Sequence, residues 1–239
     1  MKIEYKQFDF AETLKKIDNS LYPDTEKLIP NNHFLPITED SGNECAFAGV
    51  IAAYVRLSVY DNSDLDSINR SYDIVKQVIY DIFRDNCDCI DMICMGRFYC
   101  GIFNTPSKSN INDLIVTMSK LNSSISVLDI KLYKRFKISV RVNLGCDYGE
   151  LFRLKDNFNK VNNKIPSFSW NGGALNLAII YANSNLIDGR NSVIISENIK
   201  QNIKLDYAKF FQAISDSAMG GYSASLVDSK IFEWVKNNR

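Results

Sequence analysis

Histidine is almost missing from this sequence: among 239 residues only His33 is present, so chemistry that depends on several imidazoles is excluded. Charge of one sign is missing too. Lys+Arg and Asp+Glu both count 28, which leaves no net field to draw in nucleic acid or an anionic membrane surface. The six cysteines show no C-x-x-C spacing, and most sit inside strand-like runs, as small core residues do in a reducing compartment. Cys87-x-Cys89 with a lone histidine makes a poor metal site, so no metal site is assigned. No run of about 18 apolar residues occurs, and the first residues (MKIEYKQFDFAETLKK) are charged throughout rather than built around an apolar signal core. The expectation is a soluble, non-secreted, cytoplasmic protein with neither nucleic acid nor membrane as partner.

What the chain does have is a paired hydrophobic run. Ile90 to Met95 and Phe98 to Phe103 are separated only by Gly96-Arg97, which reads as a β-hairpin with a two-residue turn. Arg97 is the odd residue there, since a cation at the tip of a buried hairpin is either solvated or aimed at an anion. Ala46 to Tyr60 is apolar at nearly every position except Arg56, as in a strand covered on both faces. Between these runs Ile68, Tyr72, Val75, Ile79 and Ile82 recur at helical spacing, ending near Arg84, with Ser63 or Asp64 as N-cap.

After Pro106-Ser107, a second helical pattern from Ile111 to Leu128 leads to an alternating strand, Phe136 to Leu144. The order strand, helix, strand, strand, helix, strand predicts an α+β fold with a ferredoxin-like βαββαβ core, both helices on one face of an antiparallel sheet. Cys146 to Glu150 reads as a turn into a further strand, Leu151 to Leu154. A polar loop follows, and then Gly172-Gly173 opens a helix running to about Asn183. Glycines there allow close approach to a ligand or to a neighbouring strand. Short strands near 192–195 and 222–227 and helices near 197–203 and 231–235 form C-terminal additions. Upstream, a short helix with Phe10, Leu14 and Ile17 on one face precedes Pro23, Pro30 and Pro36, which specify an extended arm. Residues 1–44 are therefore assigned as helix and arm, and 45–239 as one domain.

Four stretches, in order, resemble the class III nucleotidyl cyclases, and in particular the pyrimidine (uridylate and cytidylate) cyclases of bacterial Pycsar anti-phage systems. Ala53–Ser58 (AYVRLS) is similar to the family's first-strand motif, and Met95–Pro106 (MGRFYCGIFNTP) to its hairpin. Arg141–Glu150 (RVNLGCDYGE) and Trp170–Ala178 (WNGGALNLA) resemble two further motifs. The resemblance implies a dimer with composite sites, and a nucleoside triphosphate or cyclic nucleotide as ligand. It implies a nucleotide- or phosphate-binding set of Arg56, Gly96, Arg97, Trp170, Gly172 and Asn176, with Asn176 in the catalytic role of positioning ribose.

In that family an Asp on the first strand and another at the hairpin turn hold two divalent cations. Here those positions are Arg56 and Arg97. With an effective dielectric of about 20 and a separation of about 4 Å, an attraction of ~8 kcal/mol becomes a comparable repulsion. A guanidinium also offers no lone pair to a hard cation. The family's phosphate-stabilising cation is replaced by Ile180. The expectation is a pseudoenzyme without cofactor, acting as a regulator or inactive partner in cyclic-nucleotide signalling, as a homodimer or as a heterodimer with an intact cyclase. One alternative is an active cyclase using Mg or Mn to make cyclic UMP or cyclic CMP, with Asp61, Asp64, Asp88 or Asp91 as displaced ligands. A ligand-free scaffold is the other.

Overall fold

A computed structural model describes residues 15, 29–38, 40–60, 64–155, 167–184, 193–214, 220–227 and 229–238. Apart from Lys15, the expected helix around residues 10–17 lies outside the described residues, as does the polar loop after 155. Ile29–Pro30 (β1) pairs in parallel with the start of a 16-residue strand, Glu44–Val59 (β2). Eight residues of β2 from Ala46 to Val55 are fully or almost fully buried, which is why so few of its side chains are polar.

Helix α1 (Leu65–Arg84) starts at Asp64, whose carboxylate accepts from the Ser67 amide at 2.6 Å. Val75, Ile79 and Phe83 form its buried stripe. The hairpin follows as β3 (Cys89–Met95) and β4 (Phe98–Asn104). Gly96 has φ 62, and Arg97 is not among the residues with positive φ, so glycine occupies the first central position as a II′ turn requires. Helix α2 (Lys108–Phe136) begins where the Ser107 amide donates to Asn110 Oδ1 at 3.1 Å, and it stops at Lys137, which is left-handed with φ 56.

Strand β5 (Ile138–Lys155) corrects the sequence reading. Its 18 residues are one continuous strand, with no turn at Cys146–Glu150. Strands β3, β4, β2 and β5 lie side by side in that order and pair antiparallel, which is the ferredoxin-like arrangement expected. Helices α1 and α2 cover one face, packing Val75, Phe83, Leu114, Met118 and Ile125 against Ile51, Val55, Phe103 and Val142. Each such fully buried side chain contributes roughly 1.5–3 kcal/mol of hydrophobic stabilisation.

The other face is covered differently. Strand β6 (Phe168–Asn171) pairs with the end of β5 and feeds α3 (Gly173–Asn183), whose Ala174, Leu175, Ala178 and Ala182 pack on Ala46, Ala48, Val50 and Ala52. Beyond it come β7 (Val193–Ile195), α4 (Glu197–Asn202), α5 (Leu205–Ala208), β8 (Gln212–Ala213), β9 (Tyr222–Ala224) and α6 (Ser229–Asn238). Strand β7 pairs in parallel with β5, and β9 and β8 extend the sheet from there. The sequence carried no mark of α5 or β8. Among the described residues no helix is long and apolar enough to cross a membrane.

Candidate functional site

The two anomalous arginines meet at one end of the sheet. Tyr54 pairs with Phe98, and the next amide, that of Val55, donates to the Arg97 carbonyl at 2.9 Å. Arg97 is thus bonded to the residue just before Arg56, on the adjoining strand. The tyrosine and phenylalanine rings of that last pair lie 4.8 Å apart and form the floor of this corner. Arg56 is half-buried and donates through Nη2 to Asn143 Oδ1 at 3.2 Å, while its Nε is buried without a hydrogen-bond partner. Arg97 is exposed, and the Tyr54 and Tyr72 side chains beside it raise its already high pKa. Gly96 leaves open space around the tip.

The second half of the expected set lies elsewhere. The first turn of α3 sits over Gly149, and its later turns sit over Gly145, where an added Cβ would meet the Ala178 carbonyl and the Ala182 amide. Arg56 pairs with Arg141, four residues before Gly145 on β5, or roughly 13 Å away at strand rise. Asn176 and Ile180 are both exposed on the outward face of α3. One chain therefore brings Arg56, Gly96 and Arg97 together and keeps Asn176 apart from them. Gly172, at φ 136, approaches the Glu150 carbonyl and Leu151 of β5 so closely that a Cβ would lie 2.6 Å from the carbonyl oxygen. Trp170 packs edge-on against Phe34 with centroids 4.8 Å apart, and its indole N–H donates to Asp91 Oδ2 at 2.6 Å. His33 is exposed in the arm.

No family model matches the sequence. Over 239 residues the chain is 23% identical to a uridylate cyclase of Treponema porcinum, covering 96% of this chain and 81% of the relative. Among solved structures, the guanylyl cyclase Cya2 aligns with a TM-score of 0.59 at 10% identity, over 79% of this chain and 96% of that one. A class III adenylyl cyclase-like ATP-binding protein from Pseudomonas aeruginosa aligns with a TM-score of 0.60 at 9% identity, over 98% of this chain and 49% of that one. The chain has the class III nucleotidyl cyclase fold.

A divalent metal centre does not fit the groups that this cyclase fold presents at its corner. Arg56 and Arg97 are cations without lone pairs; Arg56 donates to an amide oxygen, and the side chains beside Arg97 are those of Tyr54 and Tyr72. The carboxylates considered as displaced ligands are engaged elsewhere. Asp64 caps α1, Asp88 accepts from Asn110 Nδ2 at 2.6 Å, and Asp91 holds both the Trp170 indole and the Met92 amide. Asp61 lies outside the described residues. Among the described residues no group of three or more His, Cys, Asp or Glu gathers as a metal site. Sequence reasoning missed Tyr54, Tyr72, Arg141 and Asn143 as neighbours of the corner. The alternation Arg141-Val-Asn143 did place two polar residues on one strand face, but only the pairing register sets that face beside Arg56.

Proposed function

We propose that this chain is a catalytically silent cyclase-fold protein that binds nucleotide and acts as a regulator or inactive partner in pyrimidine cyclic-nucleotide signalling of the anti-phage kind. The observation that carries the reading is the pair of guanidiniums at the corner of β2 and the β3–β4 turn, where metal-assisted displacement of pyrophosphate needs carboxylates. Support for nucleotide binding comes from the fold itself, which a protein described as ATP-binding shares. Support for a pyrimidine comes from the similarity to a protein named as a uridylate cyclase. Association is favoured by α3, which has no charged residue and yet leaves Gly173, Asn176 and Ile180 outward. A homodimer, or a heterodimer with an intact cyclase, burying roughly 1,200–2,000 Å² would be ordinary for a specific contact.

The test is product formation. Purified full-length chain incubated with UTP, CTP, ATP or GTP and magnesium or manganese should yield no cyclic nucleotide by mass spectrometry. Product that scales with protein and persists in Arg56→Ala would overturn the reading. It would establish instead an active cyclase making cyclic UMP or cyclic CMP, the function that the similarity to the Treponema protein favours. Nucleotide-dependent thermal shift separates a nucleotide-binding regulator from a scaffold without a ligand.

A further inference from the structure

A third arginine completes the corner. In the β2–β5 ladder Arg56 and Arg141 are direct antiparallel partners, so both side chains leave the sheet on the same face, and Arg97 stands in the β3–β4 turn on the other side of β2. Like charges set directly opposite on neighbouring strands are destabilising. Among the described residues none of the three is in an ion pair with a carboxylate; the ion pairs there are Arg70–Asp66, Arg153–Glu44 and Lys209–Asp206. The neighbours at the corner are Asn143, 4% exposed, and the side chains of Tyr54 and Tyr72. Asn143 spends its amide oxygen on Arg56 Nη2, while Arg56 Nε stays buried with no acceptor. A buried unmade donor on a cation is costly, and cations on neighbouring strands add mutual repulsion. A multiply charged anion relieves the repulsion.

We propose that Arg56, Arg97 and Arg141 form a metal-independent site for the phosphate groups of a nucleotide. The arginines take the place of divalent ions as counter-charge, and their forked donors pair with phosphate oxygens directly. The Asn143 oxygen holds the fork of Arg56, while that of Arg97 stands free at the exposed tip beside Tyr54 and Tyr72. Phosphate charge enters from the exposed tip, where Gly96 presents no side chain. This assignment deepens the nucleotide-binding reading above and rests on it for the identity of the ligand.

Calorimetry on the full-length chain in excess EDTA tests it, with inorganic tripolyphosphate, UTP, CTP, ATP, GTP and the cyclic monophosphates as separate probes. Binding of tripolyphosphate or of a triphosphate is expected, weakening as salt rises. Arg97→Ala and Arg141→Gln, both at exposed positions, should each weaken it about ten- to a hundredfold, the loss of one charge-assisted contact. Tripolyphosphate binding as tightly as UTP would make the phosphate chain the whole determinant; tighter UTP would add a contribution from the base. Either result supports the site. Absence of heat with every probe up to millimolar concentration would overturn it, as would binding that both variants leave unchanged or binding that needs added magnesium. These outcomes are independent of turnover. Cyclic product formed with magnesium would defeat the silent-protein reading, whereas silence in both assays would defeat the arginine site and leave catalytic silence standing.

Discussion

Arg153 Nη2 lies 2.7 Å from Glu44 Oε2, and the two side chains, 2% and 8% exposed, are direct partners across β5 and β2. Neither atom is aligned as a hydrogen bond in this contact, so the two meet as charges. The guanidinium also donates to the Leu35 carbonyl at 2.9 Å and lies within 6 Å of the rings of Phe34, Phe168 and Trp170. One buried cation thereby ties the arm and β6 to the centre of the sheet. Removing one partner strands the other in a dry site, which costs about 3–5 kcal/mol, whereas exchanging both for apolar residues of similar volume is far closer to neutral. Urea unfolding should therefore find Glu44→Ala strongly destabilised and the double variant Glu44→Leu, Arg153→Met much less so. Equal losses in the two would show that the pair does not act as a pair.

The adjacent glycines before α3 should respond with opposite signs. Gly172 has φ 136, and a Cβ there would lie 2.6 Å from the Glu150 carbonyl oxygen, against backbone that cannot yield. Gly172→Ala is expected to cost about 1–3 kcal/mol or more. Gly173 is the first helical residue and has nothing within 4 Å of the added carbon, so Gly173→Ala should stabilise by about 0.4–1 kcal/mol through the unfolded chain. Thermal midpoints of the two variants, moving in opposite directions, are the readout; a gain for Gly172→Ala would refute the close-packing account.

Much of the core was legible because local pattern and tertiary environment agree. The apolar run around Arg56 is β2, the Gly96-Arg97 break is the hairpin turn, and Asp64 is the cap of α1. The reading failed at 146–150 because glycine usually marks a turn, while Gly145 is there to let α3 lie flat on β5. A lost side chain that admits a helix looks, in sequence, like one that admits a bend. The buried Arg153 was equally hidden, since its partners Glu44 and Leu35 come from the other end of the chain. The site was half legible. Arg56 and Arg97 stood out as cations in apolar runs, but Arg141 sits in an ordinary alternating strand, and only its pairing with Arg56 gives it meaning.

The cysteines should divide sharply in reactivity. All six are free, with Cys87 and Cys94 exposed and Cys45, Cys100 and Cys146 buried. Burial pushes the Cys100 thiol up to about 12 and drives that of Cys146 well above the ordinary range, while burial together with the Glu150 carboxylate raises Cys45 to about 11. Thiolate is the reactive form, so these three are inert at neutral pH. Native protein should be alkylated first at Cys87 and Cys94, the other sites appearing in peptide mapping only with denaturant. Early labelling of Cys146 would contradict its place in the core on the α1 and α2 face of the sheet.

The pH dependence of stability should carry the mark of Asp147. This residue sits in the middle of β5 opposite Val50, 4% exposed, and its Oδ1 is buried without a hydrogen-bond partner. Burial raises its pKa above the ordinary aspartate value, against the smaller opposing effects of hydrogen bonds from the Ser196 side chain and the Tyr148 amide. Because the folded pKa lies above the unfolded one, the native state holds more protons between the two values. Stability must then fall as pH rises from the ordinary aspartate range through the raised folded value, and it levels off above that. Asp147→Asn keeps the shape and removes the charge, so it should erase this component of the slope. The variant should be more stable than the parent near neutral pH, and the gap should close toward acid. Urea midpoints for both proteins measured from about pH 4 to 8 give the comparison. A parent whose Asp147-dependent stability rises with pH, or an asparagine variant that is weaker at neutral pH, would mean that the carboxylate is held charged by a partner rather than disfavoured by burial.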